Sequence, residues 1–265
     1  MAMPQWKNAG NFLSSDLLLE LFQYFYVDEL FHLFADLVQP LPALLGRGGL
    51  PLHIRRVDRR FRQHILPRIE VQNVVSIHIR NVYHMAPVNL GQFDQVQWLT
   101  LHNVTAGNWP CRFPNRLRYL TVHVRSKHRE SVFKSALSLQ SVERLEFHSS
   151  FLHFKACHDK LERSSNVRHL IFDSQRCCLD YHFLRENVPH LQCLISRNTH
   201  YPHRFDMNPG LFSGLHTIEM SCKHLDVAAM IALLKKIAVH SLRRCRIVNT
   251  HNSSSADIAF ALISC

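Results

Sequence analysis

The chain lacks any long uninterrupted apolar run, although 46% of its 265 residues are hydrophobic. A membrane-spanning helix needs roughly 18 or more consecutive apolar residues, and the most apolar stretch, Phe12 to Leu37, is broken by acids. Asp16 and Glu20 also cut through the only segment that could form the apolar part of a signal peptide. We therefore expect a protein with no membrane partner, located in the cytoplasm or the nucleus.

The chain also lacks the short motifs that mark catalysis, cofactors and metals. It contains no C-x-x-C, G-x-G-x-x-G, P-loop, G-x-S-x-G or H-E-x-x-H sequence. Its eight cysteines show no framework spacing, so we predict reduced thiols that mostly pack as small apolar side chains. We predict that the protein is not an enzyme and that it uses no cofactor.

Acidic residues are scarce except at the N-terminus. Residues 1–46 hold one lysine and five acids, a net charge of −4, whereas the whole chain carries +11 and residues 47–265 therefore carry +15. This asymmetry predicts two modules that face different partners.

A repeated six-residue pattern, apolar-x-x-apolar-x-apolar, is present throughout the larger part. It appears as "VVSIHI", "VQWLTL" and "LRYLTV" and recurs at intervals of 21 to 27 residues. The eight copies start at Val74, Val96, Leu117, Val142, Val167, Leu191, Leu215 and Leu242. Copies this far apart leave room for the crossovers that parallel strands require, so the pattern predicts an α/β fold. A doubly wound sheet is the alternative, but the absence of Gly-rich phosphate turns favours a solenoid of repeats.

The segments between the copies predict both helices and irregular crossovers. Apolar residues recur at helical spacing in residues 126–139 and 223–240, whereas residues 103–116 and 197–214 carry Pro and Gly. "LPLHI" at Leu50 predicts an atypical capping strand. The last residues, "SSSADIAFALISC", begin like a helix, and we expect the array to lack a C-terminal cap.

The N-terminal segment predicts two short helices. Apolar residues from Leu13 to Phe25 follow helical spacing, and "VDELFHLFADL" starts a second helix at an acid. Two such helices cannot enclose all of their apolar side chains alone. The surplus must pack on the repeats, as an N-terminal cap, or on another protein.

These features resemble two known families. The hexads resemble leucine-rich repeats over about 190 residues, although an Asn follows the last anchor by two positions instead of three in Asn81, Asn103, Asn198 and Asn249. We therefore expect an irregular array. "LSSDLLLELFQYFYVDELFHLFADL" resembles the F-box motif at Leu13, Asp16, Leu17, Leu18, Leu21, Phe22, Tyr24, Phe25, Glu29 and Leu30.

The resemblance implies an F-box protein with a leucine-rich-repeat-like domain. Such a protein is a non-catalytic substrate adaptor of a cullin-type ubiquitin ligase: the F-box docks on a Skp-type adaptor and the repeats bind a client protein. It implies an F-box-like module at 12–46, a basic linker or capping segment at 47–73 and a repeat array at 74–265. The implied adaptor-binding residues are Leu13, Leu17, Leu18, Leu21, Phe22, Phe25, Leu30 and Phe31. The sequence departs from the motif at Ser14, where Pro is usual, and at "VQPLPALLGRGGLP", which replaces the third helix.

The outward residue before each second anchor predicts a client-binding surface. Trp98, Tyr119, Arg144 and His169 fall in this column, and aromatic residues beside arginine are typical of binding hot spots. The alternative is that these side chains only pack on one another. The column after the third anchor contains His102, His123 and His148, for which we predict no metal because no cysteine or carboxylate closes the set.

The segment 47–68 carries seven arginines and one acid, Asp58. It could be a solvated helix face with Phe61, Ile65 and Ile69 buried, a site for an acidic protein, or a nucleic-acid contact. We expect nucleic acid to be the least favoured of these partners. The alternative function is accordingly a basic repeat scaffold that binds acidic protein or nucleic acid, with the N-terminal helices acting only as a cap.

Overall fold

The computed structural model describes thirteen stretches of the chain: residues 15–34, 52–54, 61–80, 82, 90–125, 129–149, 152–153, 161–174, 177–178, 181–199, 214–222, 243–249 and 257–260. Their contacts divide the chain into two units. The first consists of Met1–His102 and Pro110–Leu117, and the second of Asn103–Trp109 and Arg118–Cys265. Both units combine parallel strands with helical segments, which makes the protein an α/β protein.

The first unit begins with two helices, α1 (Ser15–Phe22) and α2 (Val27–Phe34). The helical spacing predicts that α1 continues to Phe25, but it ends at Phe22 in a tight turn whose N–H groups bond the carbonyls of the last helical residues. The Glu29 carboxylate then accepts a hydrogen bond from the backbone N–H of Tyr26 at 3.1 Å. This bond satisfies a donor that would otherwise be unpaired at the start of α2.

Three strands follow, and neighbours along the chain pair in parallel: β1 (Leu52–Ile54), β2 (Val74–Ile79) and β3 (Trp98–Val104), of which residues 98–102 belong to this unit. Between β1 and β2 lie a π-helical turn, Phe61–Ile65, and two 3₁₀ turns, Leu66–Arg68 and Val71–Asn73; a third 3₁₀ turn, Leu90–Gln92, precedes β3. Phe61 and Ile69 are buried as expected, whereas Ile65 is only partly covered.

The second unit is a larger sheet with helices on its core side. Its main sheet has the order β4-β5-β7-β9-β10-β11-β12, in which neighbours are parallel except for antiparallel β12. A separate parallel pair is formed by β6 and β8. The elements, after a 3₁₀ turn at Ala106–Asn108, are β4 (Tyr119–Val124), α3 (Arg129–Leu137), β5 (Arg144–Ser149), β6 (Leu152–His153), β7 (His169–Ser174), β8 (Cys177–Cys178), α4 (Tyr181–Asn187), β9 (Cys193–Thr199), β10 (Thr217–Cys222), β11 (Arg244–Asn249) and β12 (Asp257–Phe260).

Aromatic side chains fill the core on the helix side of this sheet. Phe133 of α3 lies between the rings of Phe147 and Phe172, with centroid distances of 5.1 and 5.2 Å, and contacts Phe183 of α4 at 6.5 Å. All four rings are buried. In β4, β5, β7, β9 and β10 the second and third anchors of the hexad are buried, so the residues between and beside them point the other way.

The predicted strand pattern is confirmed. Each of the eight hexads contains a strand, the segment at Leu50 contains β1, and the helix expected within residues 126–139 is α3. The helix predicted at 223–240 lies outside the described residues.

The expectation of a helix near the C-terminus is wrong for Asp257–Phe260. These residues form β12, which pairs antiparallel with β11 from Cys245↔Phe260 to Val248↔Asp257. The physical reason is the edge of β11, whose backbone donors and acceptors are satisfied by a further strand and would not be satisfied by a helix.

Candidate functional site

The N-terminal helices separate buried from exposed apolar side chains. Phe22 and Leu30 are fully buried and belong to the core of the first unit. Leu17, Leu21 and Tyr24, by contrast, are 55%, 38% and 82% exposed. Their spacing of four and three residues is that of one side of a helix, so α1 and the turn after it present an apolar row to solvent.

The other predicted adaptor-binding residues occupy intermediate or undescribed positions. Phe25 and Phe31 are partly buried. Leu13 lies outside the described residues, and so does the side chain of Leu18. The predicted adaptor-binding set missed two exposed side chains of this segment, Tyr24 in the turn and Leu33 of α2, which is 48% exposed.

The α1–α2 turn is attached to the strands of its own unit. Tyr26 forms a parallel bridge with His53 of β1, and the His53 Nδ1 and Ser76 Oγ atoms are 2.6 Å apart. Burial lowers the pKa of His53, so a neutral ring that shares a hydrogen bond with Ser76 is favoured.

Trp98, one of the four predicted client-binding residues, lies in this first unit. It is opposite Ser76 across the β2–β3 pair and is 44% exposed. Together with Tyr24 and Tyr26 it lines an open cleft of about 470 Å³. A cleft of this size, lined by aromatic rings and a few polar groups, has the dimensions of a ligand or peptide site.

The other three predicted residues lie in the second unit and are brought together. Tyr119 is opposite Arg144, and Arg144 is opposite His169, on three adjacent parallel strands. Because adjacent strands are about 4.8 Å apart, the three side chains are direct neighbours on the face away from the core. The register continues through Cys193 and Thr217 to Arg244, which confirms the predicted column within this unit.

An apolar centre lies beside this column, further along the strands. The sequence pattern did not predict it. Ile171 is buried although it points away from the helices, and Ile195 beside it is partly buried. Cys193 is a buried free thiol whose pKa is raised, first by burial and then by the charge of Glu219. Ile171 and Ile195 lie between the second and third anchors of their hexads, and Cys193 lies just before the second anchor. The hexad pattern predicts only that side chains at these positions point outward.

Charged side chains surround this centre. Glu146 Oε1 lies 3.1 Å from His148 Nε2 and 3.9 Å from Arg197 Nη1, and Asp173 Oδ2 lies 3.3 Å from His148 Nδ1. The hydrogen bond from His148 is the main cause that lowers the pKa of the Glu146 carboxyl, and nearby positive charges add to it while burial opposes it. An apolar centre with a charged rim is the usual composition of a protein-binding surface.

The three histidines of the column take part in two stacked pairs, one of which includes His78, a residue between two anchors of its own hexad. In the first unit the His78 and His102 rings are 4.8 Å apart, and in the second unit the His123 and His148 rings are 4.1 Å apart. The expectation that no carboxylate accompanies these histidines is wrong, because Glu146 and Asp173 both contact His148. Within the described stretches, no group of three or more His, Cys, Asp or Glu side chains is arranged to hold a metal ion.

No family model, curated protein or solved structure matches the chain. None of the helices in the described part of the chain is long and apolar enough to cross a bilayer. Inference about function therefore depends on the two surfaces above: the apolar row on the first unit and the mixed face of the second.

Proposed function

We propose that this protein is a non-catalytic substrate-recognition adaptor of a cullin-type ubiquitin ligase. In this proposal α1 and α2 form an F-box-like module that docks on a Skp-type adaptor protein. The strands of the second unit belong to an irregular leucine-rich-repeat array whose outward face binds a client. The protein then acts in the cytoplasm or the nucleus.

The observation that carries the proposal is the division of apolar side chains in the N-terminal helices. Phe22 and Leu30 already hold the helices on their own unit, so a cap would need no further apolar contact. Leu17 and Leu21 nevertheless remain exposed, and each forgoes part of the roughly 1.5–3 kcal/mol that full burial of a leucine contributes. A row of anchors at helical spacing is the feature by which a partner groove recognises a helix.

The face of the second unit supports the client-binding half of the proposal. It combines Tyr119 and an apolar centre at Ile171 with charged residues at the rim. Such a surface can bind a protein segment by burying apolar side chains in the centre and pairing charges around them. Nothing in this half requires a reacting group, which is consistent with a recognition role.

The proposal is tested by binding between the purified chain and a Skp-type adaptor. We expect sub-micromolar binding that the double substitution Leu17→Ala, Leu21→Ala weakens by about tenfold or more, since truncation of interface anchors commonly costs at least 1–2 kcal/mol each. Tyr119→Ala is the control, because it removes a partly exposed aromatic side chain that belongs to the second unit. Phe22 is left intact, because its removal would damage the core.

Circular dichroism of each variant shows whether the fold is retained. A folded chain that does not bind the adaptor, or a Tyr119→Ala variant that loses as much affinity as the double variant, would contradict the proposal. The α1 row would then be a cap surface, and the basic repeat scaffold would become the better account.

A further inference from the structure

Arginine is frequent at the strand-start edge of the second unit. We define this edge as the two outward residues at the start of each strand. Its arginines are Arg118, Arg144, Arg168, Arg243 and Arg244. A ladder of backbone hydrogen bonds fixes their spacing: the Arg118 carbonyl accepts the N–H of Arg144 at 3.0 Å, and the Arg168 carbonyl accepts that of Cys193 at 2.9 Å. The arginines therefore lie on strands about 4.8 Å apart instead of on independent loops.

Carboxylates neutralise only part of this edge. Arg244 Nη2 lies 3.0 Å from Glu219 Oε1, and Arg118 Nε lies 4.0 Å from Glu143 Oε1. Arg144 and Arg168 are exposed, and no carboxylate of the described residues lies within ion-pair distance of either guanidinium group. The middle of the edge thus carries two positive charges that are free to pair with a ligand.

The His169 ring lies next to both arginines: it follows Arg168 in the chain and is opposite Arg144 across the β5–β7 pair. Burial is the first cause that lowers the pKa of His169, and the positive charges of Arg144, His216 and Arg168 lower it further against the weaker effect of Glu143. The two guanidinium groups beside this ring favour an anion placed there.

The rest of the face decides between a protein and a nucleic acid as the source of the anion. Further along the strands, Glu146, Asp173 and Glu219 point to the same side as the arginines. A nucleic-acid strand carries a phosphate at every nucleotide and would meet these carboxylates. A protein segment can place one anionic side chain on the arginines and apolar side chains on Ile171 and Ile195.

We propose that Arg144 and Arg168, together with His169 opposite Arg144, bind an anionic side chain of an extended protein segment whose apolar residues contact Ile171 and Ile195. A carboxylate cluster and a phosphorylated residue offer the same oxygen anions, and guanidinium groups pair with both. This inference rests on the proposed function only in that it calls the bound protein a client.

The test measures fluorescence anisotropy of labelled peptides with the full chain. One peptide carries a run of glutamates flanked by leucines, a second has a single phosphoserine in place of the run, and a third has glutamines in place of the glutamates. Single-stranded oligothymidine is the fourth probe. The variants are Arg144→Glu and Arg168→Glu. The control is Arg185→Glu, an equal charge change at an exposed residue of α4, whose neighbours Phe183 and Leu184 are in the core.

We expect the glutamate or the phosphoserine peptide to bind about tenfold or more tightly than the glutamine peptide, and the tighter of the two names the source of the anion. Each of Arg144→Glu and Arg168→Glu should weaken that binding by about tenfold or more, because a hydrogen bond to a charged group is lost and a repulsion is added. Arg185→Glu should change it by less than about twofold.

The inference would be overturned by equal binding of the glutamine peptide, by an equal loss with Arg185→Glu, or by tighter binding of oligothymidine than of either anionic peptide. A chain that binds a Skp-type adaptor but none of the anionic peptides overturns this inference alone. A chain that binds an anionic peptide but no adaptor overturns the proposed function alone.

Discussion

At the scale of the residue, His148 is the centre of a polar cluster on the face of the second unit. It lies between two carboxylates, with Glu146 at 3.1 Å from one ring nitrogen and Asp173 at 3.3 Å from the other. A carboxylate can only accept, so both hydrogen bonds form together when both ring nitrogens carry a proton. His123 stacks on the ring at 4.1 Å. The cluster joins three neighbouring strands, β4, β5 and β7.

Substitution of Glu146 should make the stability of the chain less dependent on acid. The pKa of Glu146 in the folded protein lies below its ordinary value of 4.5, so the ionised form stabilises the fold. This contribution is present above that value and is lost as the pH falls through the folded pKa. We expect Glu146→Gln to reduce the free energy of unfolding at neutral pH, and the difference from the parent chain to shrink below about pH 4.5.

Urea unfolding followed by circular dichroism at a series of pH values measures this difference. Glu162→Gln serves as the control, because Glu162 is exposed and an exposed charge contributes little. A gap between parent and Glu146→Gln that stays constant from neutral to acidic pH would show that the carboxylate is not stabilised by its neighbours.

At the scale of the element, Asn187, the last residue of α4, connects this helix to the loop before β7. The Asn187 Oδ1 atom accepts the N–H of Leu161 at 2.7 Å, and its Nδ2 group donates to the Phe183 carbonyl at 2.8 Å. Its own carbonyl accepts the N–H of Ser165 at 2.7 Å. The side chain is buried, so these backbone groups have little access to water as a replacement partner.

We expect Asn187→Ala to lower the free energy of unfolding by about 2 kcal/mol, since each buried group left without a hydrogen bond costs about 1–3 kcal/mol. Asn166→Ala is the matched control: Asn166 donates to the Gln140 carbonyl at 2.7 Å but is exposed, so water can replace it. Chemical unfolding of both variants gives the comparison. Equal losses for the two asparagines would contradict a special role for the buried one.

The elements themselves were largely predictable from sequence, and the contacts on their outward face were not. Three anchors recur at fixed positions in each hexad, so the strands can be placed without knowledge of their neighbours. The His148 cluster depends on the register between β5 and β7, which puts His148 opposite Asp173. That register cannot be predicted from the sequence of either strand alone. The end of α1 at Phe22, which exposes Tyr24, likewise depends on the contact of Tyr26 with β1.

At the scale of the whole molecule, the two proposed binding surfaces belong to parts of the sequence with net charges of opposite sign. Residues 1–46 carry a net charge of −4 and the remainder carries +15. The row on α1 nevertheless offers apolar side chains, Leu17 and Leu21, as its contacts. The strand-start edge offers guanidinium groups. Apolar burial is insensitive to moderate salt, whereas attraction between exposed charges is screened by it.

The two binding reactions should therefore respond differently to potassium chloride. Between about 0.01 M and about 1 M salt the Debye length falls from about 30 Å to about 3 Å. Over this range we expect binding of the anionic peptide to weaken by about tenfold or more, because exposed Arg144 and Arg168 attract it from solution. Binding of the Skp-type adaptor should change by less than about threefold, because burial of Leu17 and Leu21 supplies its free energy. Titrations of both ligands against one preparation of the full chain measure the two slopes under identical conditions. An adaptor affinity that falls as steeply as the peptide affinity would mean that charge governs the N-terminal interaction as well, and the apolar row on α1 would then not be its main contact.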